Sequence, residues 1–130
     1  MKKLLVLVFL FVALDTFAQE NLGTGQWLYK LWQSAKAMDS GLDADMTDQN
    51  LANGELYLGF IWGVETTLEK MKIIALPGNF TSTATIENII GDYLESHPEQ
   101  RGEEAVLLVS RALIQVYASK PESPDTSKFK

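Results

Sequence analysis

The stretch TDQNLANGELYLGFIWGVETTLEKM, residues 47–71, decides the reading of this chain. Its apolar residues Leu51, Leu56, Phe60, Ile61, Val64, Leu68 and Met71 recur at three- and four-residue steps, the spacing of one face of an α-helix. The span predicts a helix of about 25 residues, the longest in the chain. Inside it Gly59 and Gly63 stand one helical turn apart. Glycine costs about 1 kcal/mol in a helix interior. A pair on one face is therefore read as the seat of a close crossing with another helix, and Gly63→Leu is expected to destabilise by more than about 2 kcal/mol through overpacking.

Working outward, residues 24–39 repeat the helical period in Trp27, Leu28, Leu31, Trp32, Ala35 and Met38, with Thr24 as a candidate N-cap and Gly41 as a stop. Beyond the long helix, Leu76-Pro77-Gly78-Asn79 marks a turn. Residues 83–96 then carry Ile86, Ile89, Ile90, Tyr93 and Leu94 on one face. His97-Pro98 ends that helix, because the residue before a proline is pushed out of helical geometry. A fourth helix is expected from Glu99 or Glu103 to Ala118, presenting Ala105, Val106, Val109, Ala112, Leu113, Val116 and Tyr117. Glu99, Glu103 and Glu104 at its start suit the positive end of a helix dipole. No strand-like alternation and no internal repeat stands out. The fold class is all-α, a small bundle of about four helices.

The two ends read differently. Met1-Lys2-Lys3, an apolar run from Leu4 to Leu14 and a small-residue exit at Thr16 and Ala18 describe a secretory signal peptide over residues 1–18, cleaved after Ala18. The apolar run is too short for a membrane span of about 20 residues. Residues 120–130 hold two prolines and no apolar period, and are read as a loose tail. Between them lies one domain, residues 19–119. The expectation is a soluble, exported bacterial protein of the periplasm.

Removing residues 1–18 takes away two lysines and one aspartate, leaving nine basic and 16 acidic residues, a net charge of −7. Such a surface repels nucleic acid, which is bound through clustered Lys and Arg. It would attract a basic protein. Beyond a protein partner, a homodimer is left open, and no membrane association is expected after cleavage.

The chain offers little for catalysis. With one histidine and no cysteine, thiol chemistry and His/Cys zinc sites are excluded. A Ser-His-Asp triad would have to use His97, for which capping the next helix is the simpler role. The acidic stretch from Asp39 to Asp48 fails as a calcium loop: counted from Asp43, position 6 is Asp48 and position 12 is Gly54, where glycine and glutamate are needed. Glu65 and Glu69 could be drawn as an acid/base pair, but such pairs are common on solvated faces. Asn79-Phe80-Thr81 fits the glycosylation triplet and marks only an exposed loop. No enzyme, cofactor or metal is expected.

The order of parts then carries a resemblance: a Gly59-Phe60-Ile61-x-Gly63-Val64 core helix, the Leu76-Pro77 turn, the Tyr93-Leu94-x-x-His97-Pro98-Glu99-x-Arg101 helix end, and Ala105, Ala112 and Leu113 in the last helix. Over residues 24–119 this resembles the Rap/Tai family of immunity proteins, which neutralise peptidoglycan amidases delivered by type VI secretion. The resemblance implies an inhibitor that occupies the active-site cleft of such an amidase. The alternative is a periplasmic structural or stress-related interaction protein of the same fold with no toxin partner. The family commonly carries cysteines where this chain has Trp32, Tyr57, Ala75 and Ser119, so bulk and burial would replace disulfides that contribute about 2–4 kcal/mol each.

The residues expected to set the fold are Gly59, Gly63, Pro77, Tyr93, Leu94 and Pro98. The partner surface is placed at the junction between the third and fourth helices, at His97, Glu99, Gln100, Arg101, Glu103 and Glu104. This is the longest polar run between apolar helices, and a protruding turn can enter a cleft that a flat helical face cannot.

Overall fold

The structure is a computed structural model that describes residues 22–41, 46–78 and 81–119. The stretch read as a signal peptide, the residues from 120 on and the glycosylation triplet's Asn79 and Phe80 lie outside the described residues, as do residues 42–45. Among the described residues four α-helices follow in order: α1 Gly25–Asp39, α2 Asp48–Lys70, α3 Thr83–Ser96 and α4 Ala105–Tyr117, with a 3-10 turn at Pro98–Gln100 between the last two. Among the described residues there is no strand, only two isolated antiparallel bridges. The all-α bundle is as the periodicity predicts.

The first three helices begin as their sequences dictate. The hydroxyls of Thr24, Thr47 and Ser82 each accept the N–H three residues on, at 3.3, 3.1 and 3.2 Å. This satisfies one otherwise orphaned donor at each N-terminus. Gly41, at φ +69°, follows α1's C-cap in a conformation that disfavours other residues. The fourth helix differs from expectation. It starts at Ala105 and not at Glu99 or Glu103, because Pro98 sets up a separate 3-10 turn and Glu104 is extended, bridged to Thr24.

Two backbone bridges close the bundle. Near α1's start, Gly25 and Gln26 donate to the carbonyls of Glu103 and Arg101 at 2.9 and 2.7 Å, and Ala105 donates to Gly23 at 2.7 Å. Near α4's end, Ala75 donates to Tyr117 and Ser119 to Ile73, at 2.9 and 3.0 Å. Pro77 sits exposed in the turn that follows, its carbonyl accepting from the Thr81 hydroxyl at 3.2 Å.

The core is built from Leu28, Leu31 and Trp32 of α1, Tyr57 and Ile61 of α2, Ile86, Ile90 and Leu94 of α3, and Leu108, Val109 and Leu113 of α4. Trp27 adds an edge-to-face contact with Phe60, ring centroids 5.4 Å apart, which lays α1 along α2. Several apolar residues read as core face are instead exposed: Leu51, Leu56 and Met71 of the long stretch, and Val106 and Val116 of the last helix. The stripe that α2 buries is Tyr57, Ile61, Glu65 and Leu68. Leu56 precedes Tyr57 and so points about 100° away from it.

The glycine reading also needs correction. Gly59 and Gly63 are exposed, and a Cβ at either would meet no heavy atom within 4 Å. They are not the seat of a crossing within the bundle. The close approaches occur at Gly91 of α3, where a Cβ would overlap the Trp32 indole, and at Gly25 of α1, where it would strike Leu108 and crowd the Arg101 backbone.

Candidate partner-binding surface

The junction between α3 and α4 is a polar turn built on a rigid base. Tyr93, on the last turns of α3 and 8% exposed, donates its hydroxyl to Gln100 Oε1 at 2.9 Å. The His97 ring stacks on Tyr93, centroids 4.2 Å apart, and its Nδ1 lies 2.8 Å from the Tyr93 carbonyl. A carbonyl can only accept, so Nδ1 carries the proton. His97 thus caps the helix behind it, not the one ahead.

Arg101 is the most constrained residue of the turn. Its Nε donates to the Leu94 carbonyl at 2.8 Å and Nη2 to Glu95 at 3.4 Å. Both carbonyls belong to the C-terminal end of α3, where a cation is favoured. Its guanidinium carbon lies 3.6 Å from the centroid of the Tyr29 ring of α1, a cation–π contact. Glu103 is held by Arg111 of α4 at 2.6 Å. That hydrogen bond keeps the Glu103 carboxyl below its usual range and pushes the Arg111 guanidinium up.

Of the six junction residues read as partner-binding, four are therefore committed to the fold. His97, Gln100, Arg101 and Glu103 each bond back to α3, α1 or α4. Glu99 and Glu104 remain exposed: Glu99 touches only the neighbouring Gln100 amide, at 3.3 Å, and Glu104 makes no side-chain cap bond. The sequence reading missed Tyr29 and Arg111 as parts of this base. Arg111 is the one cation of α4. Its pairing with Glu103, eight residues away, has no helical spacing to reveal it, because Glu103 precedes the helix.

A second surface lies between α2 and α4. Gly59, Phe60, Gly63, Val64, Val106 and Ser110 line an open groove of about 390 Å³, with Thr67 and Leu68 at one end. No ionisable side chain lines it. A smaller depression beside α1 holds Lys36, which sits 4.5 Å over the Trp32 ring and 3.8 Å from Glu95.

Glu65 and Glu69 do not form a solvated pair. Glu65 is 8% exposed on α2's buried stripe, and burial, then the Glu69 charge, pushes its carboxyl up. Among the described residues nothing bonds its carboxylate. No group of described residues could hold a metal ion, and no described helix is long and apolar enough to cross a membrane.

Residues 24–118 match the sequence pattern of Rap1a immunity proteins. The chain belongs to the Rap1a immunity protein family. The match covers all four helices and both backbone bridges. No curated protein and no solved structure matches the chain. Family membership supports an immunity role in general, hence a protein partner.

Membership also frames the four positions where the resemblance implies cysteines. Trp32 and Tyr57 are buried: the indole covers Gly91, and the Tyr57 hydroxyl donates to the Glu87 carbonyl at 2.9 Å. Burial, with Glu87 and Asp92 nearby, holds that phenol firmly protonated. Ala75 and Ser119 take part through their backbones in the bridge that ties the turn after α2 to the end of α4. Packing and backbone hydrogen bonds therefore stand at the four positions where the resemblance implies cysteines.

Proposed function

We propose that this immunity protein is exported, loses residues 1–18 by cleavage after Ala18, and in the periplasm binds a type VI secretion peptidoglycan amidase, blocking its active-site cleft with the junction at residues 97–104. The observation that carries the reading is the contrast within the junction. Its base is fixed by Tyr93, Arg101 and Arg111, while Glu99 and Glu104 project to solvent.

A turn held at its base loses little conformational freedom on binding, which supports tight association. Exposed acids give it long-range attraction for a basic rim around a cleft, which supports fast association. Arg101 and Glu103 hold the turn, and Glu99 and Glu104 meet the partner.

The test is protection. A small Cys/His amidase encoded beside this gene, directed to the periplasm of a bacterial host, should lyse cells, and co-expression of the immunity protein should prevent lysis. The Glu99→Gln, Glu104→Gln double variant should protect less well at equal abundance. Equal protection would remove the junction from the interface. No protection from the unaltered protein would favour the effector-free interaction protein.

A further inference from the structure

The described chain enters its first helix through the junction. The Gly23 carbonyl accepts the Ala105 N–H at 2.7 Å, Thr24 is bridged to Glu104, and Gly25 and Gln26 donate to the Glu103 and Arg101 carbonyls. Gly23 holds φ +81°, a left-handed backbone that glycine adopts without strain. Leu22, the residue before it, is 71% exposed, the most of any large apolar side chain among the described residues. Leu107, three residues beyond Glu104 and donating its N–H to the Glu104 carbonyl, is exposed as well. Glu104 thus stands between two exposed leucines, one across the bridge and one along the chain.

We propose, on the reading of the junction as the partner surface, that Leu22 and Leu107 extend that surface as apolar contacts on either side of Glu104, and that it is open only when residues 1–18 are gone. The occupant is the same basic-rimmed partner that Glu99 and Glu104 attract. Exposed charges speed arrival but hold little once the partner is seated, because water still screens them. Apolar area removed from water supplies what the acids lack. An apolar centre beside a polar rim is the ordinary composition of a protein interface. The acids therefore govern arrival and the leucines departure.

Chain connectivity links this surface to export. Gln19 stands three residues before Leu22, at most about 10 Å of backbone. Anything attached ahead of Gln19 therefore leaves the fold beside Leu22 and Glu104. Residues 1–18, with their apolar run from Leu4 to Leu14, would stand between the partner and the two leucines, and their removal would clear the approach.

Biolayer interferometry of residues 19–130 against the amidase proposed as partner tests this. The Leu22→Ser, Leu107→Ser double variant should speed dissociation about 30-fold and leave association nearly unchanged, the reverse of the Glu99→Gln, Glu104→Gln variant. Leu22→Ser alone alters a residue outside every helix, so it keeps the test sound should the Leu107 change disturb α4; it should speed dissociation about fivefold. A small folded domain fused directly ahead of residue 19 should abolish binding, whereas the same domain fused after residue 130 should not weaken it. Binding that is weakened by the two glutamine changes but indifferent to Leu22→Ser or to the leading fusion would overturn this inference and leave the junction reading standing. Binding indifferent to the glutamine changes, or no binding by the unaltered protein, would overturn the junction reading and this inference with it.

Discussion

Gly91 and Gly63 are both exposed to view in the sequence as helical glycines, yet they occupy opposite situations. Gly91 lies under the Trp32 indole with no room for a methyl group, whereas Gly63 has open space where its side chain would be. Gly25 belongs with the first, seated against Leu108 and the Arg101 backbone, and Gly59 with the second. The closed glycines hold the bundle together: one lets α1 lie on α3, the other lets the junction lie on the start of α1. The open ones weaken α2 and seat no neighbouring helix of the bundle. The same residue type at similar helical positions thus reports packing in one case and a vacant face in the other. Only the neighbours tell them apart.

That contrast breaks most readily at Gly91. Gly91→Ala should destabilise the protein by about 3 kcal/mol, since the added methyl must displace an aromatic ring in a filled core. Chemical denaturation followed by circular dichroism measures it. Combining it with Trp32→Phe, which shortens the opposing ring, should cost less than the sum of the two single changes. Additive costs would mean that Trp32 does not cover Gly91.

Gly63→Ala should move stability the other way, by about 0.5–1 kcal/mol in favour of the folded monomer, because alanine restricts the unfolded chain and suits a helix better. Chemical denaturation followed by circular dichroism gives the sign directly. A loss of stability there would restore the close-crossing reading of this glycine.

A smaller effect belongs to Glu65, the one charged group on the buried stripe. Its carboxyl is raised in the folded protein by burial and by Glu69. A raised acid binds protons more readily folded than unfolded, so its contribution favours folding at low pH and opposes it as pH rises through the carboxylate range. Glu65→Gln should therefore stabilise at neutral pH, with the gain fading on acidification. A pH series of thermal melts tests this, and a gain that grew toward low pH would contradict the assignment.

Much of the fold was legible in the sequence because it rests on local chemistry. Thr24 caps α1 as its side chain allows, α1 and α3 follow their apolar period, and His97-Pro98 ends α3. What stayed hidden depends on tertiary contact. Residues 47–71 hold more apolar side chains than one helical face can bury, and periodicity does not say which stripe wins. Tyr57, Ile61 and Leu68 are buried while Leu51, Leu56 and Met71 are not. Leu108 escaped notice in the same way. The junction's position was readable from its run of polar residues, but its internal division was not. Whether Arg101 meets a partner or grips Leu94 and Tyr29 is decided by carbonyls and a ring from other helices.

The division of the junction into a fixed base and two free acids is the claim on which the functional reading turns. Stopped-flow association between residues 19–130 and the amidase proposed as partner tests it most directly, with the Glu99→Gln, Glu104→Gln variant measured beside the unaltered protein over a range of salt. Removing the two charges should slow association about tenfold at low salt, flatten its salt dependence and leave dissociation nearly unchanged. Identical association rates and salt slopes for the two proteins would contradict the account.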